Sequence, residues 1–316
     1  MNRLLLSVVI PCHNQADSLK ETLSSLDKQS IPYDQYEVIL IDDGSTDQTK
    51  GNADGFTSAY SFRYVYQEKS GASSARNRGA EEADAELVLF LDADMICDPG
   101  LLSTHLQAHQ GTNRAIVEGS RKPWRKETSS LYYQVIDVDT NFLPHLQREK
   151  NFGDMLSCNM SLSCKLFREI GGFDPGLSRW EDIDFAFRAV ALGAQLKFIP
   201  EAIAYHNHPM TFPEYCQKQL VTHQLALDLF RKHPGILVHF DYLRDRFNID
   251  WMKDGGKLIL RKLIRQFMTW RPVFGFMEFS VEVLERYFPN RSILSHLYTW
   301  IIASYQVIGL RNGDGH

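Results

Sequence analysis

Residues 86–95, ELVLFLDADM, decide how this chain is read. Positions 87–91 form an unbroken apolar run of strand length, the pattern of a parallel strand covered on both faces. The run stops at Asp92, Ala93 and Asp94. Side chains i and i+2 of a strand share a face, so an extended backbone here sends both carboxylates out together at the strand's carboxyl end. Two anions that close repel, and a hard divalent cation whose other positions hold water and phosphate oxygens relieves the repulsion. The plainer alternative is a polar turn with an Asp capping the next helix.

The chain has 316 residues, 44% of them hydrophobic and 23% charged, which suits one large domain with an appendage or two modest domains and disfavours disorder. A net charge of -5 argues against a nucleic-acid-binding surface. Five cysteines without a CxxC pair suggest neither a zinc site nor a disulfide framework, and a reducing, cytoplasmic location is expected. The apolar stretch 4–10 is at the short limit for an export signal and reads better as a first strand. No run reaches the roughly 18 consecutive apolar residues of a spanning helix, so a soluble body is expected.

Outward from 86–95 the pattern repeats. Positions 4–11 read as a buried strand broken at Pro11, with Cys12, His13 and Asn14 opening a loop. Leu19, Leu23 and Leu26 share one face of a helix over 18–27. Positions 37–43, EVILIDD, form a second apolar strand ending in Asp42 and Asp43, with a capping turn at 44–47. Positions 62–67 form a third strand, and the Gly/Ser-rich stretch 70–78 opens a helix carrying Arg76 and Asn77. Strands and helices alternating at this spacing predict a parallel, doubly wound sheet, which binds ligands where strand carboxyl ends meet.

Six segments, VVIPCHN (8–14), IDDGSTD (41–47), SGASSARNRG (70–79), LDAD (91–94), IGGFD (170–174) and WEDID (180–184), resemble, in this order, family 2 glycosyltransferases of the GT-A fold. The resemblance covers about 4–209 and implies an α/β, Rossmann-like, mostly parallel catalytic domain over 1–209, followed by a helical extension over 210–316. It implies a nucleotide-diphospho-sugar donor and says almost nothing about the acceptor. By the resemblance Asp94 ligates Mn or Mg, while Asp92 meets the ribose or metal-bound water or adds a ligand. Pro11, His13, Asn14 and Ala93 belong to the donor pocket. Asp42 or Asp43 accepts from a uracil N–H, Asp42 being preferred, and Arg76 either contacts the diphosphate or pairs with Asp92 or Asp43. His206, with His208 as runner-up, resembles a third metal ligand. Residues 159–161 match a segment that floors the acceptor site.

Direct displacement at a sugar's anomeric carbon needs a carboxylate opposite the leaving group to take the acceptor's proton. Asp182 is the expected base and Glu181 its orienter or an acceptor contact, in an order that could be reversed, and Asp184 is expected to cap. The expectation is an inverting, metal-dependent, UDP-sugar-using transferase acting on an acceptor hydroxyl in polysaccharide, glycolipid or other glycoconjugate synthesis. A sugar nucleotidyltransferase and a catalytically silent nucleotide-sugar-binding protein are the rivals. The former calls for a Gly-rich basic loop where Pro11–Asn14 stands.

The basic, aromatic run 121–126 reads as a solvated loop or an anion contact. Beyond Pro209 the pattern is helical, over 212–233, 257–271 and 293–310. Lys257, Arg261, Lys262 and Arg265 alternate with Leu258, Leu260, Leu263, Ile264, Phe267 and Trp270. Two readings stay open: a helix lying on the inner, anionic face of a membrane, or packing on the core or on a second copy in a homodimer.

Overall fold

The computed structural model describes residues 4–124, 130–136, 151–207, 210–240, 243 and 246–313. In chain order the elements are β1 (Leu6–Cys12), α1 (Ala16–Leu26), β2 (Tyr36–Asp43), α2 (Thr49–Asp54), β3 (Ser61–Gln67), α3 (Ala72–Glu82) and β4 (Leu87–Leu91). Then come β5 (Met95–Cys97), α4 (Leu101–Ala108), β6 (Ala115–Pro123), α5 (Leu131–Ile136), β7 (Asn159–Ser163), α6 (Cys164–Ile170), α7 (Glu181–Ala191) and β8 (Gln195–His206). Helices α8 (Phe212–Gln224), α9 (Ala226–Lys232), α10 (Gly256–Met268), α11 (Arg271–Tyr287) and α12 (Arg291–Gly313) complete the chain. Two compact units result, one of residues 1–124 and 142–208, the other of 125–141 and 209–316.

The first unit is built on one eight-stranded sheet in the order β3-β2-β1-β4-β7-β6-β8-β5. Strands β3, β2, β1 and β4 are parallel, as the apolar runs require. Beyond β4 the sheet is mixed: β7 lies antiparallel to β4 and β6, β8 returns parallel to β6, and β5 closes antiparallel on β8. Pro11 stays in the ladder opposite Ile41, so β1 ends at Cys12 rather than breaking at the proline. Val8, Ile10, Val38, Leu40, Leu89 and Leu91 are fully buried in one cluster with Leu19, Leu23 and Leu26 of α1. The carboxyl ends of β1, β2 and β4 therefore stand side by side with their acids just beyond the core.

Helix α3 lies directly on β1 and β2 because Gly79 has no side chain: a Cβ there falls 2.2 Å from Val9 Cγ1 and 3.2 Å from Ile41 Cγ1. That close approach fixes the start of the same helix, and Arg76 with it.

The second unit has its own core of Tyr132, Cys216, Met277, Val281, Leu294, Tyr298 and Ile301. Tyr132 packs against Phe212 and Tyr298 at ring distances of 4.9 and 5.2 Å. The stretch 212–233 is two helices, α8 and α9, meeting at Leu225. Helix α12 has 23 residues and is longer than its apolar run suggests, long and apolar enough to cross a membrane. Its Leu294, Tyr298, Ile301, Val307 and Leu310 are buried, and it passes so close to α8 that a Cβ on Gly309 falls 2.3 Å from the Leu220 carbonyl.

Gly79→Ala is expected to lower the stability of the first unit by about 1–3 kcal/mol, the usual cost of forcing a methyl into a filled core. Urea unfolding measures it, and an unchanged midpoint would mean that α3 does not sit where this contact puts it.

Candidate functional site

Loops after β1, β2 and β4 and the N-terminal ends of α3 and α7 surround a cleft of about 280 Å³. Its walls are Pro11, Cys12, His13 and Gln15, then Asp43, then Ala72, Ala75 and Arg76, then Asp92, Ala93 and Asp94, and finally Ser178, Arg179 and Glu181.

At the end of β4 the backbone does not stay extended. The Asp92 N–H donates to the Cys158 carbonyl (3.3 Å) and the Met95 N–H to the Asp92 carbonyl (3.2 Å), turning the chain at 92–94. The Ala93 carbonyl anchors the turn by accepting from Thr22 Oγ1 (2.8 Å) and Ser18 Oγ (3.1 Å) of α1. The shared face expected of the two carboxylates is thereby lost. Asp92 Oδ1 accepts from Arg76 Nη2 at 3.0 Å, while Asp94 Oδ2 lies 3.3 Å from His206 Nε2. Antiparallel pairing of β5 with β8, Met95 opposite His206, brings that histidine back beside Asp94 from far along the chain. The Asn207 N–H donates to the Asp94 carbonyl at 2.8 Å. His208 lies outside the described residues.

Arg76 is the hinge of the site. It is 5% exposed, its Nη1 donates to Glu181 Oε1 at 3.2 Å, and its guanidinium carbon sits 5.5 Å from the Phe173 ring centre. Burial works against its charge, but Asp92, Asp182 and Glu181 outweigh burial and raise its pKa above the ordinary value. It thus pairs with Asp92, one of the options left open by sequence, and also with Glu181. Burial raises the Glu181 carboxyl, Asp182 adds to the rise, and Arg76 opposes it. Burial likewise raises Asp182, against Arg76. Among the described residues Asp182 Oδ1 has no hydrogen-bond partner, though it is buried. Glu181, not Asp182, lines the cleft.

Both acids start α7, whose cap residue Trp180 is left-handed, φ 66°, a costly conformation for so bulky a residue. Asp184 is fully buried and held by Arg188 (2.7 and 2.8 Å), which also donates to the Ile170 and Gly172 carbonyls, so its role is to tie α7 to the preceding turn.

At the end of β2 the two aspartates differ in where they point. Asp42 is 1% exposed and turned away, its Oδ1 accepting from the Ser45 N–H (2.8 Å) and its Oδ2 from the Tyr64 hydroxyl (2.6 Å). Asp43 lines the cleft, accepting from the Ser70 and Gly71 N–H groups (2.7 and 2.9 Å) and from Gln67 Nε2 (2.7 Å). His13 Nδ1 donates to the Asp43 carbonyl (2.9 Å), and Lys69 Nζ donates to His13 Nε2 (3.0 Å). Asn14 is not part of the wall; its Oδ1 accepts from the Thr46 N–H at 2.8 Å and holds the loop.

Residues 159–161 do not floor an open site. Asn159 is 1% exposed, donating to the Ser120 and Ala202 carbonyls and bonded to His105, while Ser161 is bonded to His105 and His109. In the basic run, Trp124 packs edge-on against Tyr205 at 5.5 Å; Arg125 and Lys126 lie outside the described residues. Sequence reasoning missed Gln15, Lys69, Ser178 and Arg179. Their adjacency to the motifs was the only signal available.

Residues 7–171 match the family model described as Glycosyl transferase family 2. The chain belongs to this family. Among relatives, validoxylamine A glucosyltransferase of Streptomyces hygroscopicus subsp. jinggangensis is 29% identical over 273 residues, 74% of this chain and 62% of its own length. Glycosyltransferase AglE of Haloferax volcanii is 27% identical over 216 residues, 67% of this chain and 70% of its own. The chain thus spans about three fifths of the validoxylamine A enzyme. Among solved structures, mannosyltransferase PcManGT of Pyrobaculum calidifontis, in complex with GDP-Man and Mn2+, aligns with a TM-score of 0.62 at 16% identity, over 96% of this chain and 86% of that one. S. aureus TarS in complex with UDP aligns with a TM-score of 0.55 at 16% identity, over 99% and 92%. The fold is therefore of the GT-A type.

Because Glu181 and Asp182 bind protons more readily folded than unfolded, the stability they contribute is complete below the ordinary carboxylate pKa of about 4 and falls as pH rises. Arg76→Met removes the charge that opposes both shifts. The stability gap between wild type and variant is expected to widen from about pH 5 to about pH 8, reaching roughly 3 kcal/mol or more. Urea midpoints across that range measure it, and a gap independent of pH would contradict the assignment.

Proposed function

We propose that this family 2 enzyme transfers a glycosyl group from a UDP-sugar to an acceptor hydroxyl with inversion, assisted by Mn or Mg, and that its catalytic domain runs to about residue 209. The observation that supports the reading is one cleft lined by Asp94, which pairs with His206 behind it, and by Glu181, which precedes the buried Asp182, with Arg76 bridging Asp92 and Glu181.

A carboxylate and an imidazole suit a divalent cation of the Mn or Mg class, the histidine favouring Mn. Asp94 and His206 would hold it, while Asp92 is engaged by Arg76. Among the described residues no group of three acidic, histidine or cysteine side chains converges, so the donor's phosphate oxygens and water would fill the other positions. When bound, such a cation stabilises charge on a departing diphosphate. Asp43 and His13 provide the wall for the base, Asp43 accepting from a uracil N–H.

Asp182 takes the acceptor hydroxyl's proton. Its raised pKa suits a general base, and among the described residues its Oδ1 has no hydrogen-bond partner, whereas Glu181 is held by Arg76 and orients the pair. A single proton acceptor with no second carboxylate assigned as nucleophile supports inversion over a covalent intermediate.

Asp182→Asn is expected to leave UDP affinity within about twofold and to lower donor turnover by about 10²–10⁴, the usual contribution of a general base. Hydrolysis assays across UDP-, GDP- and TDP-sugars with Mn present measure this and the nucleotide preference together; near-normal turnover moves the base elsewhere, and a preference for GDP-sugars rejects uridine. Asp94→Ala is expected to abolish the gain in UDP affinity that Mn brings. Calorimetry giving the same Mn-dependent gain in the variant would remove Asp94 from the ion.

A further inference from the structure

In a helix of a folded chain the apolar stripe normally faces the core and the charges face water. Helix α10 is turned the other way. Leu260, Leu263, Ile264 and Phe267, at spacings of three and four residues, are exposed by 59, 44, 39 and 56%. The buried residue is Lys262, 5% exposed, on the opposite side of the helix. Its Nζ donates to Asp254 Oδ2 at 2.6 Å and to the Asn248 carbonyl at 2.8 Å. A buried lysine with an acid and a carbonyl fixes the rotation of the helix, because turning the stripe inward would strand that charge. The outward stripe is therefore the rotation this packing selects. Trp270, 60% exposed at the start of α11, extends it.

Charge decides what the stripe meets. In a chain of net charge -5, residues 256–277 carry five basic side chains and no acidic one. Lys257 and Arg261 are exposed along one edge of the stripe, and Arg271 is exposed at the head of α11. A second copy would bring the same positive charges to a shared two-fold interface, where like charges oppose. An anionic bilayer offers the complement, hydrocarbon for Leu260, Leu263, Ile264 and Phe267 and lipid phosphates for the basic edge.

We propose that the exposed face of α10, with Trp270, is a docking surface for an anionic lipid bilayer, on which the helix lies in the plane of the headgroups. The inference is independent of the donor and the base assigned above.

Flotation of the full chain with phosphatidylcholine vesicles, with and without an equimolar share of phosphatidylglycerol, tests it, with light scattering on the same samples. The wild type is expected to float with the anionic vesicles and to be released by salt. The double variant L263S/F267S is expected to lose at least about tenfold in partitioning. K257Q/R261Q should lose about fivefold per charge removed on anionic vesicles. All four side chains are exposed, so thermal unfolding and UDP binding of both variants should match the wild type. The proposal is overturned if the wild type stays unbound with both vesicles, or if L263S/F267S floats like the wild type. A lipid-indifferent dimer that L263S/F267S dissociates would overturn it too, assigning the face to a second copy.

Discussion

One buried guanidinium holds the acids of this cleft at their working distance. Arg76 reaches Asp92 at the end of β4 and Glu181 at the start of α7, residues 89 apart in sequence, through two ion pairs of 3.0 and 3.2 Å. Without it, buried Glu181 and Asp182 would lose the charge that opposes their shift toward the neutral form. With it, one cation is divided among Asp92, Glu181 and Asp182, and the proton affinities of Glu181 and Asp182, raised by burial, are only partly brought back. Partial compensation suits a group that must take a proton and give it up again. The packing of Gly79 against Val9 and Ile41 sets the depth of α3, and so the reach of Arg76.

The turn at 92–94 divides labour between the two aspartates of the DAD motif. Hydrogen bonds from α1 to the Ala93 carbonyl hold the turn, sending Asp92 toward Arg76 and Asp94 toward His206. A sheet edge made of the short β5 and the long β8 completes the second pair, so the antiparallel part of the sheet serves the site as directly as the parallel part. The left-handed Trp180 sits where α7 must begin abruptly for its first residue, Glu181, to line the cleft.

Much of this arrangement can be read from the chain because a parallel sheet prints its ligand edge in sequence. An apolar run that stops at an acid marks a strand's carboxyl end, which located Asp43 and Asp92–Asp94, and a cluster of acids ahead of an amphipathic pattern located Glu181 and Asp182. What could not be read depends on partners distant in sequence. Asp42 and Asp43 are chemically identical neighbours, and the Ser45 N–H together with the hydroxyl of Tyr64, 22 residues on, holds the first of them out of the cleft. The separation of Asp92 from Asp94 depends on α1, and the burial of Asn159 on the carbonyls of β6 and β8. The rotation of α10 hangs on Lys262 finding Asp254, a contact that the apolar periodicity alone would not select.

The central claim is that Arg76 couples the strand-end acid to the helix-start acid, and a double-mutant cycle between Arg76→Met and Glu181→Gln measures that coupling on unfolding free energy at neutral pH. Contact through a buried ion pair predicts a coupling energy on the order of 2 kcal/mol, with the double variant less destabilised than the sum of the single ones. Additive single effects, with a coupling near zero, would contradict the account and leave the two acidic centres energetically independent.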